Sequence, residues 1–318
     1  MKKLVFSSLL LATAACFAQA PASEPLRLVL PYSAGGNVDS TARLIAPGLS
    51  KALGRSVVIE NKTGAGGLIA GEHVAKSKPD GLTMFVTSNG PILHSPLIYG
   101  RPVYDWRKDF VPVGSISLTP MVLLSTPDAA ITNIRELVTA AKAKPGGLTM
   151  AAPGSGSTNH LMALLLEKET GVRFNVVQYK GMAPATTDLL GGHVQLTFDQ
   201  IAPALPHATK GTLRPVAVTS PTRLSVLPNV PTFRELGLPQ LEASSFVGMF
   251  APAGTPPATL ATLSAALAKV LAEPETASRL QQLGASVSVQ APGEFSAFLR
   301  REDDKWIPLI KSAAIKAE

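Results

Sequence analysis

The hydrophobic pattern changes period along the chain. Leu26, Leu28, Val29 and Leu30 form a short apolar run broken only by Arg27, the mark of a strand. Immediately after it, 38–53 places Leu44, Ile45, Leu49 and Leu53 at helical spacing. The alternation continues with a strand over 56–60, a helix over 68–76 and a strand over 82–87. A second series begins near Met121. It has a helix over 133–144, a strand over 148–152, and a helix over 157–170 that Ser157 caps and Gly171 stops. Segments 175–178, 183–190, 194–198 and 213–219 extend the same rhythm. A proline-rich loop over 221–239 precedes one further strand, 246–251, and two or three helices fill 257–314.

Strands alternating with helices predict an α/β fold, a parallel sheet covered by helices. The two series predict two similar lobes, with the C-terminal helices returning to the first. The expected division is 24–122 and 246–318 for lobe one and 123–245 for lobe two. The crossings near 117–124 and 246–251 then form the hinge.

The first residues follow neither period. Lys2 and Lys3 precede an apolar run over 4–15, interrupted only by Ser7, Ser8 and Thr13 and too short to span a bilayer. Small residues follow, so the segment reads as an export signal over 1–18. Cleavage after Ala18 is favoured over cleavage after Ala20, which would leave Pro21 first. Cys16, the sole cysteine, is removed with it; acylation at Cys16 is the alternative, though Thr13 stands where such motifs carry leucine. A mature chain without thiols excludes disulfides, zinc–cysteine sites and cysteine nucleophiles. About 300 residues remain, more than one ordinary core holds. No other apolar stretch reaches membrane-spanning length.

The full chain has 29 basic and 22 acidic residues; without Lys2 and Lys3 the basic count is 27, a net charge of +5. That excess favours an anionic ligand by long-range attraction, or is simply an ordinary solvated surface. Scattered basic residues and 5% aromatics exclude a nucleic-acid footprint.

Three polar, glycine-containing loops follow strands: Pro31-Tyr32-Ser33-Ala34-Gly35-Gly36-Asn37, Thr87-Ser88-Asn89-Gly90 and Pro153-Gly154-Ser155-Gly156-Ser157-Thr158-Asn159. In open α/β sheets ligands bind beyond the carboxyl ends of the strands. There glycine admits close backbone approach, and free N–H groups of the next helix hold an anion. The alternative is three tight turns with serine caps.

Catalytic patterns are absent from the sequence. No serine has the G-x-S-x-G setting, no Gly-Lys dipeptide marks a P-loop, and Ile69 occupies the third glycine position after Gly64-Ala65-Gly66-Gly67. His73, His94, His160, His193 and His207 show no metal-ligand spacing, so neither metal nor cofactor is expected. Asp39 and Asp199 could form a carboxylate pair, and a secreted hydrolase using Asp39 or Asp199 is the rival from the enzyme class, but Asp39 reads as a helix-start cap.

The run Leu30-Pro31-Tyr32-Ser33-Ala34-Gly35-Gly36-Asn37-Val38-Asp39, closed by Ala42-Arg43, resembles the first signature of the tripartite tricarboxylate transporter receptors, the Bug-type proteins. The resemblance continues in order through Val58-Ile59-Glu60-Asn61, Gly64-Ala65-Gly66-Gly67, Lys78-Pro79-Asp80-Gly81, Gly154-Ser155-Gly156-Ser157 with His160-Leu161, Tyr179-Lys180-Gly181, Asp188-Leu189-Leu190-Gly191-Gly192 and Ala251-Pro252-Ala253-Gly254-Thr255-Pro256. Each motif is weak alone; eight in order are specific. The resemblance implies a periplasmic binding protein of type II-like fold, two α/β lobes joined by two crossing segments with the ligand cleft between them. It implies a monomeric, non-catalytic receptor that captures a small carboxylate and delivers it to the membrane subunits of a secondary transporter. A ligand sensor for a membrane kinase is the rival within that class.

Carried onto this chain, the resemblance makes Tyr32, Ser33, Gly35, Gly36 and Asp39 the first-loop ligand residues. Thr87, Ser88 and Asn89 line the same lobe. Ser155, Ser157, Thr158 and Asn159 face them, with Tyr179, Lys180 and Asp199 nearby. Two departures stand out: Thr63 where relatives carry proline, and Phe246 where many carry tryptophan.

Overall fold

The computed structural model describes residues 24–100, 103–179, 181–313 and 315. The expected export signal with Cys16, and the candidate Lys180, lie outside the described residues. The first series is β1 (Leu26–Leu30), α1 (Asn37–Leu53), β2 (Val57–Asn61), α2 (Leu68–Ala75) and β3 (Thr83–Thr87). A π-helical turn, Gly90–His94, and two short helices, α3 (Ser95–Ile98) and α4 (Trp106–Asp109), lead into the long strand β4 (Phe110–Ser125). The second series is α5 (Ile134–Ala143), β5 (Thr149–Ala152), α6 (Thr158–Thr170), β6 (Asn175–Gln178), α7 (Met182–Leu190), β7 (Leu196–Gln200), α8 (Ile201–Lys210) and β8 (Arg214–Val218). Then come β9 (Ser244–Pro252), α9 (Pro257–Leu271), α10 (Pro274–Gln282), β10 (Ser286–Val287) and α11 (Pro292–Ser312).

The apolar runs explain the layers. In β1, Leu26, Leu28 and Leu30 enter one core while Val29 enters the core on the opposite face, as in a strand covered on both sides. Val38, Ala42, Ile45 and Leu49 of α1 pack into that first core, and Gly54 ends the helix in the left-handed conformation (φ 65°).

The strand order is β2-β1-β3-β9-β4-β7-β5-β6, with β8 and β10 also pairing with β4. β1, β2 and β3 are parallel, as are β5, β6 and β7; β9 and β4 run antiparallel to their neighbours. β4 changes partners midway. Residues from Phe110 to Pro120 pair with β9, and from Met121 to Ser125 with β7. Proline has no N–H to give a ladder, which suits a change of partner at Pro120. The Met121 N–H instead donates to Thr219 Oγ1 at 2.8 Å, and the Thr219 N–H returns to the Met121 carbonyl at 2.9 Å. The result is two α/β lobes joined by crossing segments with a cleft between them, the type II-like binding-protein arrangement.

The last helix adds a third link. Phe295 and Leu299 of α11 pack beside β1 and β3, whereas Trp306, Leu309 and Ile310 enter the core around Met121, Leu137 and Leu161. The sequence placed all of 246–318 with the first lobe; the second half of α11 packs with the other one. A 21-residue helix is long enough to reach both cores.

Candidate functional site

In the first lobe the loops after β1 and β3 meet at their carboxyl ends. The Tyr32 hydroxyl lies 2.7 Å from Ser88 Oγ, and burial pushes its pKa up to about 12, so it stays a neutral hydroxyl. A third loop closes beneath them at Gly67 (φ +91°). A Cβ there would stand 2.6 Å from Pro91 and 2.8 Å from Pro31, a space only glycine fits.

Asp39 holds the first loop rather than facing a ligand. Its Oδ2 accepts from the Gly35 N–H at 2.9 Å and from Arg43 Nε at 2.9 Å. Its Oδ1 accepts from Arg43 Nη2 and Asn61 Nδ2, both at 3.0 Å. The Arg43 guanidinium, assisted by Gly35 and Asn61 against the cost of burial, holds this carboxyl down to about 2. Asn61 Nδ2 also donates to the Tyr32 carbonyl at 2.8 Å. Asp39 and the Gly35 amide, both expected at the ligand, are joined to each other in an internal tether that shapes the loop. Ser33 and Gly36 stay exposed at its tip, and the first N–H groups of α1 have no preceding turn to receive them.

Thr87 Oγ1 is buried without a partner among the described residues. Asn89 is a strut. Its Oδ1 accepts from the Phe246 N–H at 2.9 Å, and its Nδ2 donates to Glu302 Oε2 of α11 at 3.1 Å.

In the second lobe the register aligns three strand ends. Ala152 pairs with Gln178 and Ala151 with Thr197, so Pro153, Tyr179 and Asp199 share one level. Ser157 caps α6 by accepting from the His160 N–H at 3.2 Å, as the turn-and-cap alternative requires. Asn159 Nδ2 donates to the Phe198 carbonyl at 2.7 Å, and the Tyr179 hydroxyl donates to Asp188 Oδ2 at 2.8 Å. Ser155 is half-buried and Thr158 buried beside them. Asp199 is 4% exposed; burial raises its pKa to about 7, opposed by the Gln200 N–H.

The lobes touch at Gly156 (φ +77°). Its carbonyl accepts from His94 Nδ1 at 3.3 Å, and its N–H donates to His160 Nδ1 at 3.1 Å. His94 is 1% exposed with an unpartnered Nε2, and burial brings its pKa down to about 4, so the ring is neutral. Sequence reasoning gave His94 no role, nor Glu302 or Trp306. No local signal marks contacts made 62 and 213 residues away. Phe246, a departure from the family pattern, is fully buried edge-on to Phe295 and Phe298.

Among the described residues no group of three or more His, Cys, Asp or Glu is placed to hold a metal ion, and no helix is long and apolar enough to cross a membrane. Surface depressions of about 480 and 440 Å³ lie along α2 and between α1 and β2, and neither is lined by the strand-end loops.

A model of the tripartite tricarboxylate transporter family receptor matches residues 41–315. The chain belongs to this receptor family. BugT of Bordetella pertussis is 32% identical over 299 residues, covering 92% of this chain and 90% of BugT. A solved R. palustris protein with adipate is 34% identical and superposes with a TM-score of 0.84, covering 93% of this chain and 99% of its own. MatC from Rhodopseudomonas palustris with bound malate gives 32% and 0.79, covering 90% and 98%. The receptor thus has the family that its ordered motifs imply, and families of this kind are substrate-binding rather than catalytic.

Proposed function

We propose that this receptor captures a small dicarboxylate between its lobes in the periplasm and delivers it to the membrane subunits of a tripartite carrier. The carrying observation is the contact between the strand-end loops of the two lobes, where His94 Nδ1 meets the Gly156 carbonyl. They offer hydroxyls (Tyr32, Ser33, Thr87, Ser88, Ser155, Thr158) and the free N–H groups that open α1 and α6. Arg43, one turn beyond Asp39 in α1, is committed to it. An anion in such a cleft is held by dipoles and hydrogen bonds. The relatives solved with adipate and malate support the dicarboxylate class. Lobe one comprises 24–122 with the start of the C-terminal segment, lobe two 123–245, and closure turns on β4 and the entry to β9. The 1–18 segment directs export.

A thermal-shift screen of small carboxylates tests the reading. A ligand at a hundredfold excess over its Kd adds ~2.7 kcal/mol and raises the melting temperature by several degrees. Adipate, malate or a close dicarboxylate is expected to do so. A panel of dicarboxylates that leaves the melting temperature unmoved refutes it.

A further inference from the structure

Asp199 is an acidic side chain placed where an anion is expected, and no cation among the described residues forms an ion pair with it. It stands one residue before the end of β7, level with Pro153 and Tyr179 among the strand-end loops of the second lobe. It is 4% exposed, and among the described residues its one hydrogen bond is Oδ1 accepting from the N–H of its neighbour Gln200 at 2.8 Å. That is not an α8 cap, because a capping side chain accepts from the second or third helical N–H, here beyond Ile201.

The elements packed around it bring no cation among the described residues. β4 and β5 contain no titratable residue. In α6, His160 is occupied by the Gly156 N–H, and burial lowers its pKa. In α7, Asp188 accepts the Tyr179 hydroxyl. In α8, His207 and Lys210 lie in the last turn, away from Asp199. The turn at Gly284, which reaches α8 at Ile201 and Ala202, carries no titratable side chain.

Two carboxylates at hydrogen-bond distance in a dry site do not both ionise; they share a proton. We propose that Asp199 selects the ligand's distal end by donating or sharing a proton, so that a fully ionised dicarboxylate binds together with one proton taken from solvent. The proposal rests on the dicarboxylate reading of the cleft. The proton sits between an oxygen of Asp199 and an oxygen of the ligand's distal carboxylate, and returns to solvent on release. A ligand whose distal end carries its own donor, a hydroxyl or an amine, needs no such proton. The position of the Asp199 pKa near 7 makes the uptake visible above neutrality.

Calorimetric titration of adipate at pH 8, in two buffers of different ionisation enthalpy, counts the protons. Wild type is expected to take up close to one proton per adipate, and its affinity to fall about tenfold per pH unit above 7. Asp199→Asn, whose amide donates at any pH, is expected to bind adipate with no uptake and a flat pH profile. Asp199→Ser gives the same readout with a smaller side chain should the amide disturb folding. The sign for stability follows from the raised pKa. The folded protein keeps this proton where the unfolded chain has lost it, so stability is lost as pH rises through about 4 to 7. Ligand-free Asp199→Asn should therefore melt higher than wild type at pH 8. Adipate binding without proton uptake in wild type, or equal uptake in wild type and Asp199→Asn, overturns the proposal while leaving the receptor reading intact. If no dicarboxylate binds wild type at any pH, both fall together.

Discussion

Gly156→Val is expected to weaken dicarboxylate binding by about 100-fold or more, the equivalent of ~3 kcal/mol. Two effects add. Gly156 has φ +77°, where a β-branched residue is strained by roughly 1–3 kcal/mol. A Cβ at this position would also stand 1.9 Å from Ile98 Cδ1, a buried side chain of α3. The clash falls between the serine loop and α3, whose Ile98 packs in the core with Leu137 and Leu161, so it displaces the loop proposed to hold the ligand. It also moves the carbonyl that accepts from His94. Combining Gly156→Val with Ile98→Ala removes the steric part and leaves the backbone strain, so affinity should recover only partly. Titration of the single and double variants checks this, and an unchanged Kd in Gly156→Val would show that the loop does not take part in closure.

Trp306→Ala is expected to cost about 3–5 kcal/mol of stability, the range for deleting a buried aromatic side chain. Trp306 is 1% exposed among Leu161, Leu165 and Leu309, and its Nε1 donates to Glu302 Oε2 at 2.9 Å. Glu302 is itself half-buried, so losing that donor leaves it with Asn89 as the remaining hydrogen-bonding side chain. Trp306→Phe keeps much of the packing and should cost less, about 1 kcal/mol, because the Glu302 carboxylate loses one donor and keeps Asn89. The position of α11 adds a second consequence. Because the helix packs in both cores, wild type should unfold in urea as one transition. Trp306→Ala should separate the lobes into two. One shared transition at an unchanged midpoint would mean the helix does not couple them.

How much of this was legible in the sequence depended on the range of the contacts involved. β1 and α1 were readable because their burial is set by the residues' own order, Leu26, Leu28 and Leu30 on one face and Ile45 and Leu49 at helical spacing. The Ser157 cap and the Gly171 stop are likewise local, and both stand where they were expected. β4 was reduced to a crossing near its second half because Pro112, Gly114 and Pro120 interrupt its strand pattern, although all three lie within one long strand. In the candidate site the loops were legible but the duties of single side chains were not. Asp39 and Asn89 have the chemistry of ligand contacts, yet Asp39 is held by Gly35 and Arg43 four residues away and by distant Asn61, and Asn89 by distant Phe246 and Glu302. Distant partners leave no trace in local spacing.

The central claim is that loops of both lobes grip one small carboxylate. Hydrogen–deuterium exchange with and without saturating adipate or malate tests it most directly. Protection is predicted in 31–40, 87–90, 153–160 and 199–203, on both lobes at once, with the exposed outer helices unchanged. Protection confined to one lobe, or centred on the depression along α2, would contradict it.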